Sequence, residues 1–228
     1  MRTAAIQREQ GFTLVELSIV LVIIGLIIGG VLTGQQIIQN ARITNTINAI
    51  QAYQAQLQTY AQNFGVLPGD DASATSRFPS VANLSNGDGN GKIGDGTTAF
   101  ESEASGGEDH LVWAHLRAAG LVKNQATITT ATSGDTTTST ANTAVYPANP
   151  FNGVFAFQTG AFTGTNNAFT TTVLCLNAVP SSAAQAIDSR LDDGFPNSGT
   201  IRASTGTSRS SLATSYGDGD TFTLCARM

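Results

Sequence analysis

Residues 17–41, LSIVLVIIGLIIGGVLTGQQIIQNA, contain no charged side chain. As one helix this run is about 37 Å long, and its strongly apolar part, Leu17 to Leu32, covers most of a bilayer core. A helix that is apolar all round must be buried in lipid or among other helices. The preceding residues, MRTAAIQREQG, are polar and carry Arg2 and Arg8 against Glu9. After the run, Arg42 is the only basic residue before Arg77. This bias keeps the N-terminus in the cytoplasm and sends the remainder outward.

The helical pattern continues past the apolar run. Ile43, Ile47, Ile50, Leu57, Ala61 and Phe64 recur at spacings of three, four and seven, with Gln, Asn and Thr between them. That is an amphipathic face. One helix from about Thr13 to Asn63 would extend about 75 Å, and Gly65 and Pro68 end it. The expected organisation is a leader at 1–11, a long helix at 12–64 and a head at 65–228. Within the helix, 12–38 is the transmembrane part and 39–64 the amphipathic part.

A secretory signal peptide loses its apolar stretch to a cut on the far side. Here the cleavage point, Gly11–Phe12, lies before the stretch. The residues Gly11, Phe12, Thr13, Leu14, Val15 and Glu16, followed by the apolar run, resemble the prepilin leader of type IV pilins and type II secretion pseudopilins. The resemblance implies that a membrane aspartyl prepilin peptidase cuts after Gly11 and that the new terminal Phe12 is methylated. It also implies an α+β fold: a pilin-like ladle with one long N-terminal helix packed on a C-terminal antiparallel β-sheet head. Glu16 is a carboxylate at the edge of an apolar helix, which is costly in lipid and usually functional. After cleavage Phe12 would carry a cationic amine, and Glu16 of one subunit could pair with the amine of a neighbour and set axial register. The alternative is that Glu16 merely snorkels to the head-group layer. Many family members have a mid-span Pro, whereas Gly29-Gly30-Val31-Leu32-Thr33-Gly34 has none.

In the head, Asn86, Asp88 and Asn90 have the 1, 3, 5 spacing of a calcium loop. Gly91 stands at the sharp turn, Lys92 where a backbone carbonyl would serve, and Ile93 at the apolar anchor. Thr97 stands where a bidentate Glu is expected, so Glu101 or Glu103 would have to supply that oxygen. Ca²⁺ is the one cofactor implied; the alternative is a solvated Asn/Gly turn. Asp192, Asp193, Asp218 and Asp220 are a weaker second calcium set, with ordinary β-turns as the alternative. Gly89-Asn90-Gly91-Lys92-Ile93-Gly94 is formally GxGxxG, but no apolar strand precedes it, which excludes dinucleotide binding.

Residues 108–122 read as a short helix, with Glu108 and Asp109 favouring its dipole, Leu111, Val112, Leu116 and Ala119 as its buried stripe, and Gly120 as its cap. Trp113 is expected in a core or interface. His110 and His115 lie five apart, unsuited to a shared metal, and are expected exposed or partly satisfied. The Thr-rich segment 124–144 reads as an exposed loop that could carry glycans. Gly153–Thr159 and Ala168–Leu176 form a hairpin, and Thr221–Cys225 a last strand. Ser181–Leu191 has helical character. Cys175 and Cys225 form an even pair in a chain expected to be exported, which reads as one disulfide bounding the C-terminal region 175–225; two buried free thiols are the alternative.

The net charge of −5 and the lack of a basic patch argue against nucleic-acid binding. No nucleophile elbow, P-loop, HExxH or CxxC is present, so the chain is expected to be a peptidase substrate and not an enzyme. The resemblance implies a homo-polymer built through N-terminal helices with pilus or type II secretion machinery. The chain would sit in a bacterial inner membrane, head in the periplasm, and then in an extracellular or periplasm-spanning filament. Three roles stay open: a pilus subunit, a secretion pseudopilin, and a calcium-dependent adhesin displayed on a pilin scaffold. An anchored domain that never polymerises is the remaining possibility.

Overall fold

The structure, a computed structural model, describes residues 11, 13–81, 84–94, 107–122, 146–162, 167–206 and 211–228. Residues 1–10 (most of the expected leader), Phe12, Thr97, Glu101, Glu103 and the Thr-rich segment 124–144 lie outside the described residues.

Helix α1 runs Leu14–Phe64. No Pro interrupts it, and Gly29 and Gly30 are helical. It ends at Gly65, whose φ of 74° takes the left-handed region that glycine enters without steric cost. The chain divides into two compact units, residues 1–41 and 42–228. In the first, every large apolar side chain from Leu14 to Ile38 is exposed. Thr33 returns its hydroxyl to the Gly29 carbonyl at 3.0 Å, which satisfies a polar group inside an apolar helix.

In the second unit, α1 buries Ile43, Thr46, Ile50, Leu57 and Tyr60. Thr46 and Tyr60 complete a stripe of alternating threes and fours that an apolar-only reading missed. Tyr53 lies on the same stripe, edge-on to Trp113 at 4.9 Å and to Phe155 at 5.2 Å between ring centroids.

After a single turn α2 (Ala74–Arg77) comes α3 (Glu108–Ala118). The sheet follows: β1 (Phe155–Ala161), β2 (Phe169–Pro180), β3 (Ile201–Thr205) and β4 (Thr221–Arg227). Helix α4 (Ser181–Leu191) leaves β2 directly. Among the described residues the order is β1-β2-β4-β3, all antiparallel. The fold is α+β, with a long N-terminal helix and a C-terminal antiparallel sheet, as the resemblance implies.

Side chains alternate between the two faces of the sheet. Leu174, Leu176, Phe222 and Leu224 join the main core with Trp113 and the α1 stripe. Val173, Cys175 and Cys225 face the other way, against Phe162 and Phe169. Cys175 and Cys225 are register partners on β2 and β4 and are joined by a disulfide. Strand β3 was not anticipated. Its sequence, IRAST, carries only one large apolar residue, and it forms because β4 offers it a free edge.

Candidate functional site

At the N-terminus, Thr13 precedes α1 and Glu16 is its third residue. The Thr13 amide and hydroxyl both donate to Glu16 Oε2 at 2.8 Å, and the Glu16 amide donates to Thr13 Oγ1 at 3.3 Å. This is a reciprocal capping box. Within one subunit Glu16 thus already has a partner at the mouth of its own helix. The T-x-x-E spacing ahead of an apolar run was the available signal. Gly11 is exposed, directly before this cap.

The second site lies in the head, where three segments meet. The turn after α1 carries Asp70 and Asp71; the Gly-rich loop 84–94 lies against it; α3 presents its first turn to both. Two glycines permit the approach. A Cβ on Gly87 would fall 2.2 Å from the Gly69 carbonyl oxygen, and one on Gly69 would fall 2.6 Å from the Glu108 carbonyl oxygen. His115 joins the same segments: the Gly69 amide donates to its Nδ1 at 2.9 Å, and its Nε2 lies 2.9 Å from the Ser85 carbonyl. This bonding assigns the neutral ring with its proton on Nε2, and burial lowers its pKa. His115 is fully buried and doubly bonded, where an exposed or partly satisfied residue was expected. Its helical position one turn from Leu111 and next to Leu116 places it on the buried face.

Asp70, Asp88 and Glu108 each bring a carboxylate oxygen within 4.8 Å of the others. Asp70 Oδ2 accepts from the Gly91 amide at 2.9 Å. Glu108 accepts from Asp88 and Gly94 amides, each at 3.0 Å. Burial pushes the Glu108 carboxyl above its ordinary value against these bonds. The Asn90 amide, chiefly, holds Asp88 below its own.

Of the residues expected to ligate calcium, the structure brings Asp88 into this cluster. Asn86 turns away and accepts from the Thr75 amide at 2.9 Å. Asn90 donates through Nδ2 to Asp88 Oδ2 at 2.6 Å and accepts from the Lys92 amide at 2.8 Å. Ile93 is buried in the core, its amide bonded to Thr159 Oγ1 at 2.7 Å. Asp70 and Glu108 were not among the expected ligands. Glu108 reads locally as a helix-dipole partner.

A second acidic group, Asp188, Asp192 and Asp193, lies at the C-terminal end of α4. Asp192 Oδ2 accepts from the Thr200 and Ile201 amides, at 2.5 and 2.9 Å. Asp193 accepts from the Phe195 amide at 2.9 Å and the Ser198 hydroxyl at 2.6 Å. Asp188 accepts from Tyr216 at 2.6 Å. These carboxylates hold a turn together, and Asp218 and Asp220 are not part of the group.

Residues 6–32 match the family model of the prokaryotic N-terminal methylation motif. No curated protein and no solved structure matches the chain. Together the motif and the long apolar helix that begins inside it support placing the chain among type IV pilin-like or pseudopilin-like proteins.

Proposed function

We propose that this chain is a structural subunit of a type IV pilus-like filament. Prepilin peptidase removes residues 1–11, and Phe12 becomes the amino terminus. Before assembly, α1 anchors the subunit in the inner membrane with the head outside. In the filament the same apolar surface packs among sister helices. The carrying observation is the unburied apolar surface of residues 14–38, directly behind a methylation motif. Such a surface needs lipid or other helices around it.

Glu16 serves two states in this reading. In the isolated subunit it closes the capping box with Thr13. In the filament it exchanges that bond for the Phe12 amine of a neighbour, a charge-assisted partner in a dry environment. Mass spectrometry of the mature protein should give methylated Phe12 as its first residue. Glu16→Ala should still insert and be cleaved, yet yield at least tenfold fewer filaments. A mature chain beginning at Met1 would refute the processing step, and normal filaments from the Ala variant would refute the role of Glu16. The same processed subunit in a secretion pseudopilus would show itself as lost enzyme secretion without surface filaments.

A further inference from the structure

We propose that Asp70, Asp88 and Glu108 form a binding site for a hard divalent cation of the calcium class. It differs from the loop-only site read from the sequence, because its ligands come from three segments. The inference does not depend on whether the chain polymerises.

Two observations carry it. The first is the convergence of three carboxylates within 4.8 Å. Among the described residues none of the three forms an ion pair with a basic side chain; the nearby Arg77 is engaged by Asp71 at 2.8 Å. The second is Asp70 itself. The residue is 4% exposed, and its Oδ1 is buried with no hydrogen-bond donor among the described residues. A buried carboxylate oxygen without a donor is unfavourable unless a cation completes it. The second acidic group lacks this feature, since its carboxylates are met by amides and hydroxyls.

The amide bonds leave room for a metal. Each carboxylate oxygen can accept twice, and the amides of Gly91, Asp88 and Gly94 each use one direction. Those bonds orient the ligands as outer-shell bonds do in metal sites. Three carboxylates on a loop, a turn and a helix start suit calcium, which tolerates irregular oxygen cages. Magnesium demands near-octahedral geometry and keeps most of its waters. A bound ion would pin the turn after α1 to the loop 84–94 and to the first turn of α3.

The test uses the full chain in detergent, stripped with EDTA. Calorimetric titration with CaCl₂ should give one site with a Kd at or below about 10⁻³ M. Saturating Ca²⁺ should raise the Tm of the head, followed by the near-ultraviolet signal of Trp113. Asp70→Asn keeps an acceptor for the Gly91 amide but removes the buried charge. Without metal it should be at least as stable as the parent, and Ca²⁺ should no longer shift its Tm. A merely structural Asp70 would instead lose stability with or without the ion. Should Asp70→Asn fail to fold, Asp88→Asn at the exposed edge should weaken Ca²⁺ binding at least tenfold. No heat and no Tm shift in the parent would overturn the site. So would an equal shift in parent and variants, and a larger shift with MgCl₂ than with CaCl₂ would overturn the calcium assignment.

Discussion

At the scale of single residues, Asp188 shows what burial does to a carboxylate. It is fully buried, and although Tyr216 and the Gly194 amide bond to it, burial raises its pKa from 3.8 to about 6. The Asp192 and Asp193 charges add to the rise. The folded state therefore binds a proton that the unfolded chain releases near pH 4. This contribution to stability is complete below that pH and is lost as pH rises through about 6. Asp188→Asn should match the parent near pH 4 and exceed it at pH 7.5 by about 1–2 kcal/mol. Urea unfolding at the two pH values measures the difference; a difference that does not change with pH would show that the charge is not its cause. Residues whose role depends on distant partners were the hardest to read. Asp88 stood out in its Gly-rich loop, but Asp70 and Glu108 are 18 and 20 residues from it in sequence, and only the fold makes them neighbours. Glu16 was conspicuous because its surroundings are local; the Thr13 spacing that caps it is equally local but was not read as a cap.

At the scale of elements, periodicity carried most of the information. Helix α4 begins and ends where its pattern does, α3 stops two residues before Gly120, and β1, β2 and β4 lie within a few residues of their apolar runs. The helices bury one face against the main core, and β1, β2 and β4 add residues to a second cluster on their other face, so their patterns are strong. Strand β3 lacks such a pattern because it is held by pairing with β4 along one edge. The disulfide sits between β2 and β4, whose ladder already joins the two cysteines in the folded state. Its effect should therefore fall mainly on the unfolded chain, where it closes a loop of sequence separation 50. The chain-entropy account gives about 4 kcal/mol for such a loop. Replacing both Cys175 and Cys225 by Ala should lower unfolding free energy by roughly that amount, with the β2–β4 register unchanged. Denaturant unfolding followed by Trp113 fluorescence would test this. A loss below about 1 kcal/mol would mean that the unfolded chain is already compact around these strands.

At the scale of the whole molecule, one helix serves two environments, and the change between them falls near Arg42. The head core begins at Ile43 and gathers residues from α1, α3, α4 and the sheet. Its polar knots, Tyr60 with Asp71 and His115 with Gly69 and Ser85, also lie beyond residue 42. That core is built from residues of the second unit. A chain starting at Arg42 should therefore keep the head's stability while losing the need for detergent. Cutting inside α1 leaves its new first turn with unsatisfied amides, which costs about 1 kcal/mol if no cap replaces them. The expected Tm change is thus a few degrees at most, and size-exclusion chromatography in plain buffer should give a monomer. If the shortened chain melts far below the parent or aggregates, residues 14–41 contribute to the stability of the head. A stable monomer would instead show that residues 14–41 are not needed to hold the head together.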